Sequence, residues 1–141
     1  TVEKDTGTTA CTPVGVFVGV SYTDPNTNQK TFSQTYPAST SASDISAYVV
    51  DDPFVEMKMQ GDASLAQTAL GNNAAVVQTA GSTSIGRSKN AVDSSTIATT
   101  NTLPVKIIEF VEGPDSAVGD SFTDVIVVFN AGHQLTNTTG V

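Results

Sequence analysis

The chain has no tryptophan, a single cysteine (Cys11) and a single histidine (His133). One cysteine excludes an internal disulfide and a CxxC metal pair, and one histidine excludes a three-histidine zinc site. Basic residues are scarce: six Lys and Arg stand against 14 Asp and Glu, for a formal charge of −8 over 141 residues. Affinity for DNA or RNA rests largely on Lys and Arg displacing counterions from phosphates, so this balance argues against a nucleic-acid partner, and equally against an anionic membrane surface. No apolar run approaches the roughly 18 residues of a transmembrane helix. The opening residues, TVEKDTGTTACTP, lack the basic-then-apolar layout of a signal peptide. A protein made in a reducing cytosol is the expectation. With no Trp and only three Tyr, stacking on sugar rings is poorly supplied.

Thr and Ser fill the space that charge leaves, with 21 Thr and 14 Ser while charged residues are only 14% of the chain. At 38% hydrophobic the chain has enough apolar content to fold, and its length suits one domain. Residues 103–130, LPVKIIEFVEGPDSAVGDSFTDVIVVFN, organise the rest. Two β-branched and aromatic runs, Val105 to Val111 and Val125 to Phe129, flank a segment rich in Gly, Pro, Asp and Ser. This is the pattern of two strands around a loop. Val125 to Phe129 is apolar at every position, which predicts that both faces of that strand are covered, one by the core and one by a second layer or another subunit.

Elsewhere the pattern is of short strands between turns. Residues 1–13 are polar and read as an extended arm. In VGVFVGVSY (14–22) Val14, Val16, Val18 and Val20 alternate with Gly15, Phe17 and Gly19, and the glycines suggest close backbone approach or strong curvature. Asp24 to Asn28 is a turn into a short strand over 31–36. Ile45, Ala47 and Val49 alternate, as do Val55, Met57 and Met59. Ser64 to Leu70 has short helical character, which Gly71-Asn72-Asn73 would end. A strand over 74–78 and weak strands near Ile85 and over 92–97 complete the count. The expectation is an all-β chain: a β-barrel or β-sandwich of seven to nine strands over residues 14–141, with the arm over 1–13 and at most one short helix.

Signatures of catalysis are thin. Asp5-Thr6-Gly7 matches the triplet of aspartic proteases and Ile85-Gly86-Arg87 a second piece of the retroviral type, but the triplet follows no apolar strand, and such enzymes need two carboxylates sharing a proton. There is no G-x-S-x-G elbow to serve His133. Asp115, Asp120 and Asp124 lack the alternate spacing of a calcium loop. Gly61 to Gly71 carries no phosphate-binding Lys, and Cys11 has no activating neighbour in sequence. No enzyme activity, cofactor or metal is expected.

Three segments carry a resemblance. YVVDDPFVEMKMQGDASLAQTALGNNAAVV, GSTSIGRSKNAVDSSTIATT and LPVKIIEFVEGPDSAVGDSFTDVIVVFNAGHQL are together similar to a family of small virion structural proteins of tailed phages, notably those of marine bacteria and cyanobacteria. The resemblance covers about residues 14–141. It implies a non-enzymatic capsid decoration, or cement, protein on the exterior of an assembled head, made in the host cytoplasm. Its implied partner is the major capsid protein. A trimer or dimer on the shell is expected, with no nucleic acid and no membrane bound. Candidate contact residues are Val2, Cys11 and Pro13 in the arm, Val125, Val127 and Phe129 in the apolar strand, and His133, Gln134 and Leu135 near the end. A head-fibre, knob or tail component is the alternative, and an aspartic protease-like enzyme a more distant one.

Overall fold

A computed structural model describes residues 11, 13–37 and 39–130. The fold is all-β. Nine strands form three antiparallel sheets, and two single 3₁₀ turns are the helical content of the described residues. The strands are β1 (Val16–Thr23), β2 (Lys30–Ser33), β3 (Ser46–Val50), β4 (Met57–Gln60), β5 (Asn73–Ala74), β6 (Val76–Val77), β7 (Ala91–Val92), β8 (Val105–Phe110) and β9 (Asp124–Phe129). They assemble as β2-β1-β3, β4-β9-β8-β5 and β6-β7. No barrel closes among them, which removes that half of the expectation.

The organising pair is β8 and β9. Val105 faces Phe129, Ile107 faces Val127 and Phe110 faces Val125, with Met57 and Met59 of β4 continuing the same rows. Val105 and Ile107 share one face because side chains alternate along a strand, and the register shift at Ile108 returns Phe110 to it. Leu65, Ala69, Ala74, Val76 and Val92 pack onto that face and complete the core. Leu65 and Ala69 enter together as their four-residue spacing suggests, yet the segment makes only one 3₁₀ turn (Gln67–Ala69) before Gly71 at φ 80° ends it. Seven residues are too few to sustain a helix without deeper packing.

The other face of β9 is less covered within the chain than the core face. Ile126 and Val128 are half-buried rather than covered, and Lys58, Glu109 and Lys106 stand opposite them in the register. Lys58 bridges to Asp124 at 2.7 Å. Long charged side chains can lay their methylenes over apolar neighbours while keeping their heads in water.

The loop between β8 and β9 is bound to the body of the protein, not merely wet. Thr123, fully buried, accepts the Leu65 N–H on its Oγ1 at 3.1 Å and donates to the Asp120 carbonyl at 3.0 Å. Ser116 Oγ accepts the Asp124 N–H, and Ser64 Oγ donates to the Gly119 carbonyl. Buried polar atoms are thereby satisfied, as they must be to avoid a desolvation penalty.

In the three-stranded sheet, β1 is central. The turn at Asp24–Gln29 closes β1 onto β2, with Asn28 at φ 55°. The expected alternation of Val14, Val16, Val18 and Val20 is broken by a bulge at Val18, since Phe17 pairs with Val49 and Gly19 with Tyr48. An extra residue in one strand shifts the facing of those beyond it. Gly15 is required by close approach: a Cβ there would lie 1.9 Å from the Val50 carbonyl oxygen. The expected strand over 74–78 is two short pieces with different partners, β5 on β8 and β6 on β7. Ile85 lies in a turn closed by a Ser82–Arg87 bridge, not in a strand, and the chain over 92–97 leaves β7 for the second 3₁₀ turn, Ser94–Thr96.

Candidate binding surface

The two faces of the three-stranded sheet differ. On one, Val20 and Tyr22 are buried, and Tyr22 meets Tyr36 edge-on with ring centroids 5.1 Å apart. On the other, the register brings Phe32, Ser21 and Ser46 into one row and Gly19 and Tyr48 into the next. The central positions are small, Gly19 and Ser21, and the flanking ones are aromatic. Phe32 is 72% exposed and Tyr48 47% exposed. Between them lies a notch of about 290 Å³, with Gly19 in its floor and Ser33 and Gln34 at its rim. Tyr48 donates its hydroxyl to Ser21 Oγ across the strands at 3.1 Å. Val16 lies on the same face, and Phe54, 84% exposed, follows β3 in the chain.

An exposed large apolar group needs a reason when several share one face. Each of these strands could have placed its aromatic on the buried side. Instead the first side buries Val20 and Tyr22 while Phe17 on it stays partly exposed, and the open side keeps Phe32 and Tyr48. The sheet edge is fixed by charge: Asp44 accepts from Lys30 Nζ, from the Thr23 N–H and from Thr23 Oγ1, each within 2.9 Å. The Lys30 ammonium and the two Thr23 donors hold the Asp44 carboxyl well below the usual carboxylate range. Asp44 thus ties β1, β2 and the start of β3 together without a buried charge.

The residues singled out from sequence are scattered. Val125 and Val127 are fully buried in the core, which removes them as surface contacts. Phe129 is half-buried and packs against that core. Cys11 is buried and Pro13 half-buried, so neither is the open contact expected of an arm. Val2, His133, Gln134 and Leu135 lie outside the described residues, as do Asp5-Thr6-Gly7. Asp120 turns its carboxylate onto the Ala117 N–H, and Asp124 bridges Lys58. Among the described residues no group of three or more His, Cys, Asp or Glu is placed to hold a metal ion, and no helix is long and apolar enough to cross a membrane. A second, open concavity of about 440 Å³ lies between Gln67, Leu70, Ile108, Glu109, Phe110 and Glu112.

Phe32 and Tyr48 were not singled out from sequence. A signal existed for Tyr48: placing Ile45, Ala47 and Val49 on one side of the strand puts Tyr48 on the other. No comparable signal existed for the Thr23–Lys30–Asp44 tie, which spans up to 21 residues of sequence. No family model, curated protein or solved structure matches the chain.

Proposed function

We propose that this chain is a capsid decoration protein that binds the outer surface of an assembled phage head and stabilises it without chemistry. The observation that carries the reading is the aromatic face of the three-stranded sheet, with Phe32 and Tyr48 flanking a glycine-floored notch. A patch of this kind rimmed by polar residues marks a protein contact, and aromatic anchors supply most of the affinity at such contacts. The phrasing of residues 48–77, 81–100 and 103–135 supports a virion setting, through its similarity to small phage structural proteins. An acidic, Thr-rich β domain suits a capsid exterior, where a negative surface avoids capture of stray nucleic acid. The partner is the major capsid protein, and repetition over the lattice makes up for a small contact per copy.

The test is co-sedimentation of the purified protein with DNA-free, expanded capsids that lack it, with unexpanded proheads as control. Saturable binding to expanded shells alone, at a fixed ratio to the coat protein, is the expected result. Binding to neither particle would move the reading to a fibre, knob or tail location.

A further inference from the structure

Positive charge is scarce in this chain, with six basic residues against 14 acidic ones. Among the described residues Lys30 is bound to Asp44, Lys58 is bound to Asp124 and Lys106 lies within β8. Arg87 and Lys89 stand two positions apart in residues 79–90, TAGSTSIGRSKN, a stretch with no Asp or Glu. Both are exposed, and no carboxylate among the described residues pairs with either. Ile85, also exposed, precedes Arg87 by two positions. The segment thus presents a β-branched apolar side chain beside two unneutralised cations, on a protein of formal charge −8.

This segment has a built shape. Ser82 and Arg87 pair across a four-residue turn, and the Ser82 N–H donates to the Arg87 carbonyl at 2.9 Å. The Ser82 and Ser84 hydroxyls lie 3.0 Å apart, and the Asn90 N–H donates to Ser88 Oγ. Gly86 takes φ 63°, and a Cβ there would lie 2.6 Å from Thr35 Cγ2, so the turn is seated on the chain just after β2. A turn ordered in advance loses less freedom on binding than a loose one.

Its complement is on the same chain. The concavity of about 440 Å³ at the C-terminal end of β8 is lined by Leu70, Ile108 and Phe110 and carries Glu109 and Glu112. Both glutamates are exposed, and no cation among the described residues pairs with either. Within one copy the two features do not meet. Asn73 pairs with Lys106 and Ala74 with Val105, so the chain runs along β8 away from Ile108 and Glu112 before it enters the hairpin. Two copies of charge −8 repel one another at large. A contact between them therefore has to set free cations of one against free carboxylates of the other, and these two features do so with apolar side chains on both sides.

We propose that the hairpin over residues 82–89 of one copy docks in the β8 concavity of a second copy. Ile85 lies against Leu70, Ile108 and Phe110, and Arg87 and Lys89 meet Glu109 and Glu112. Each copy offers both halves, so the contact is head-to-tail, and its repetition closes a ring or extends a row. Neither Phe32 nor Tyr48 takes part, and the contact does not depend on the capsid reading.

The test is sedimentation equilibrium combined with charge exchange. The native protein should associate reversibly at concentrations up to about 1 mM. The variants Arg87→Glu/Lys89→Glu and Glu109→Lys/Glu112→Lys, each checked for an unchanged circular dichroism spectrum, should each self-associate at least about tenfold more weakly. Mixed in equal amounts they should associate again, since each hairpin then finds a concavity of opposite charge. The fourfold variant, whose net charge equals that of the native protein, should recover self-association. On the native protein, an equal mixture of isotope-labelled and unlabelled copies treated with a zero-length carbodiimide should join Lys89 to Glu109 or Glu112 between copies. This reads the contact even where an exchanged variant fails to fold. A native protein that stays monomeric throughout, exchanged variants that associate as the native one does, or a mixture that stays monomeric would each overturn the proposal. So would links confined to single copies, whether from Lys89 to Glu3 or Asp5 or from Lys4 to Glu109 or Glu112, since the chain's own residues would then occupy the hairpin or the concavity.

Discussion

Asp44 shows how one exposed side chain can hold a small sheet in register. Its carboxylate gathers the Lys30 ammonium first, then the Thr23 N–H and hydroxyl. The pKa in the folded state lies below the unfolded value, so the stabilisation is present in full above the ordinary carboxylate value of 3.8 and is lost as the pH falls from there toward the folded value. Asp44→Asn should therefore unfold at a lower temperature than the native protein at pH 7. The gap should narrow as the pH is taken below about 4. Thermal unfolding at a series of pH values reads this directly, and a gap that stays constant down to pH 2 would remove Asp44 from the account. Thr123 offers a buried counterpart. Replacing it with Val keeps the shape but leaves the Leu65 N–H with no acceptor in a fully buried place. The expected loss is about 1–3 kcal/mol, measured by denaturant unfolding, with the same slope on denaturant as the native protein.

At the scale of elements, the four-stranded sheet divides into a face that matters for stability and one that does not. Ile107→Ala removes a fully buried side chain from the core cluster and should cost about 2–5 kcal/mol. Ile126→Ala, one residue from Val127 but on the opposite face, should cost about 1 kcal/mol or less. Equal losses would mean that the outer face is covered after all. This division also marks what could be read from the chain alone. The β8–β9 pair was legible because Val105 to Phe110 and Val125 to Phe129 concentrate β-branched and aromatic residues around a glycine- and proline-marked loop. The second face of β9 is less legible, because an unbroken apolar run does not reveal that Lys58 and Lys106 stand across from Ile126 and Val128. Cross-strand neighbours are a property of register, and both long pairings contain a shift, at Val18 and at Ile108. Strands of two residues, such as β5 and β6, carry too little pattern to be divided by eye. The aromatic face was half legible: alternation separates Tyr48 from Ala47 and Val49, but nothing local says which side the core will take.

For the whole molecule the question is what Phe32 and Tyr48 are for, given that the protein has a core without them. They lie on a sheet distinct from the one that holds the core cluster, so their removal separates binding from folding. The double variant Phe32→Ser, Tyr48→Ser should keep its unfolding temperature to within a few degrees, because exposed side chains contribute little to stability. Its affinity for expanded capsids should fall by roughly two to three orders of magnitude, since each aromatic anchor at an interface is worth about 2 kcal/mol. Phe122→Ser is the matched control: Phe122 is 58% exposed in the β8–β9 loop, outside the three-stranded sheet, and its loss should leave binding intact. Co-sedimentation of all three proteins over a range of concentrations measures the shift. If Phe122→Ser weakens binding and the double variant does not, the contact with the shell runs through the loop between β8 and β9, and the aromatic face of the smaller sheet serves another partner.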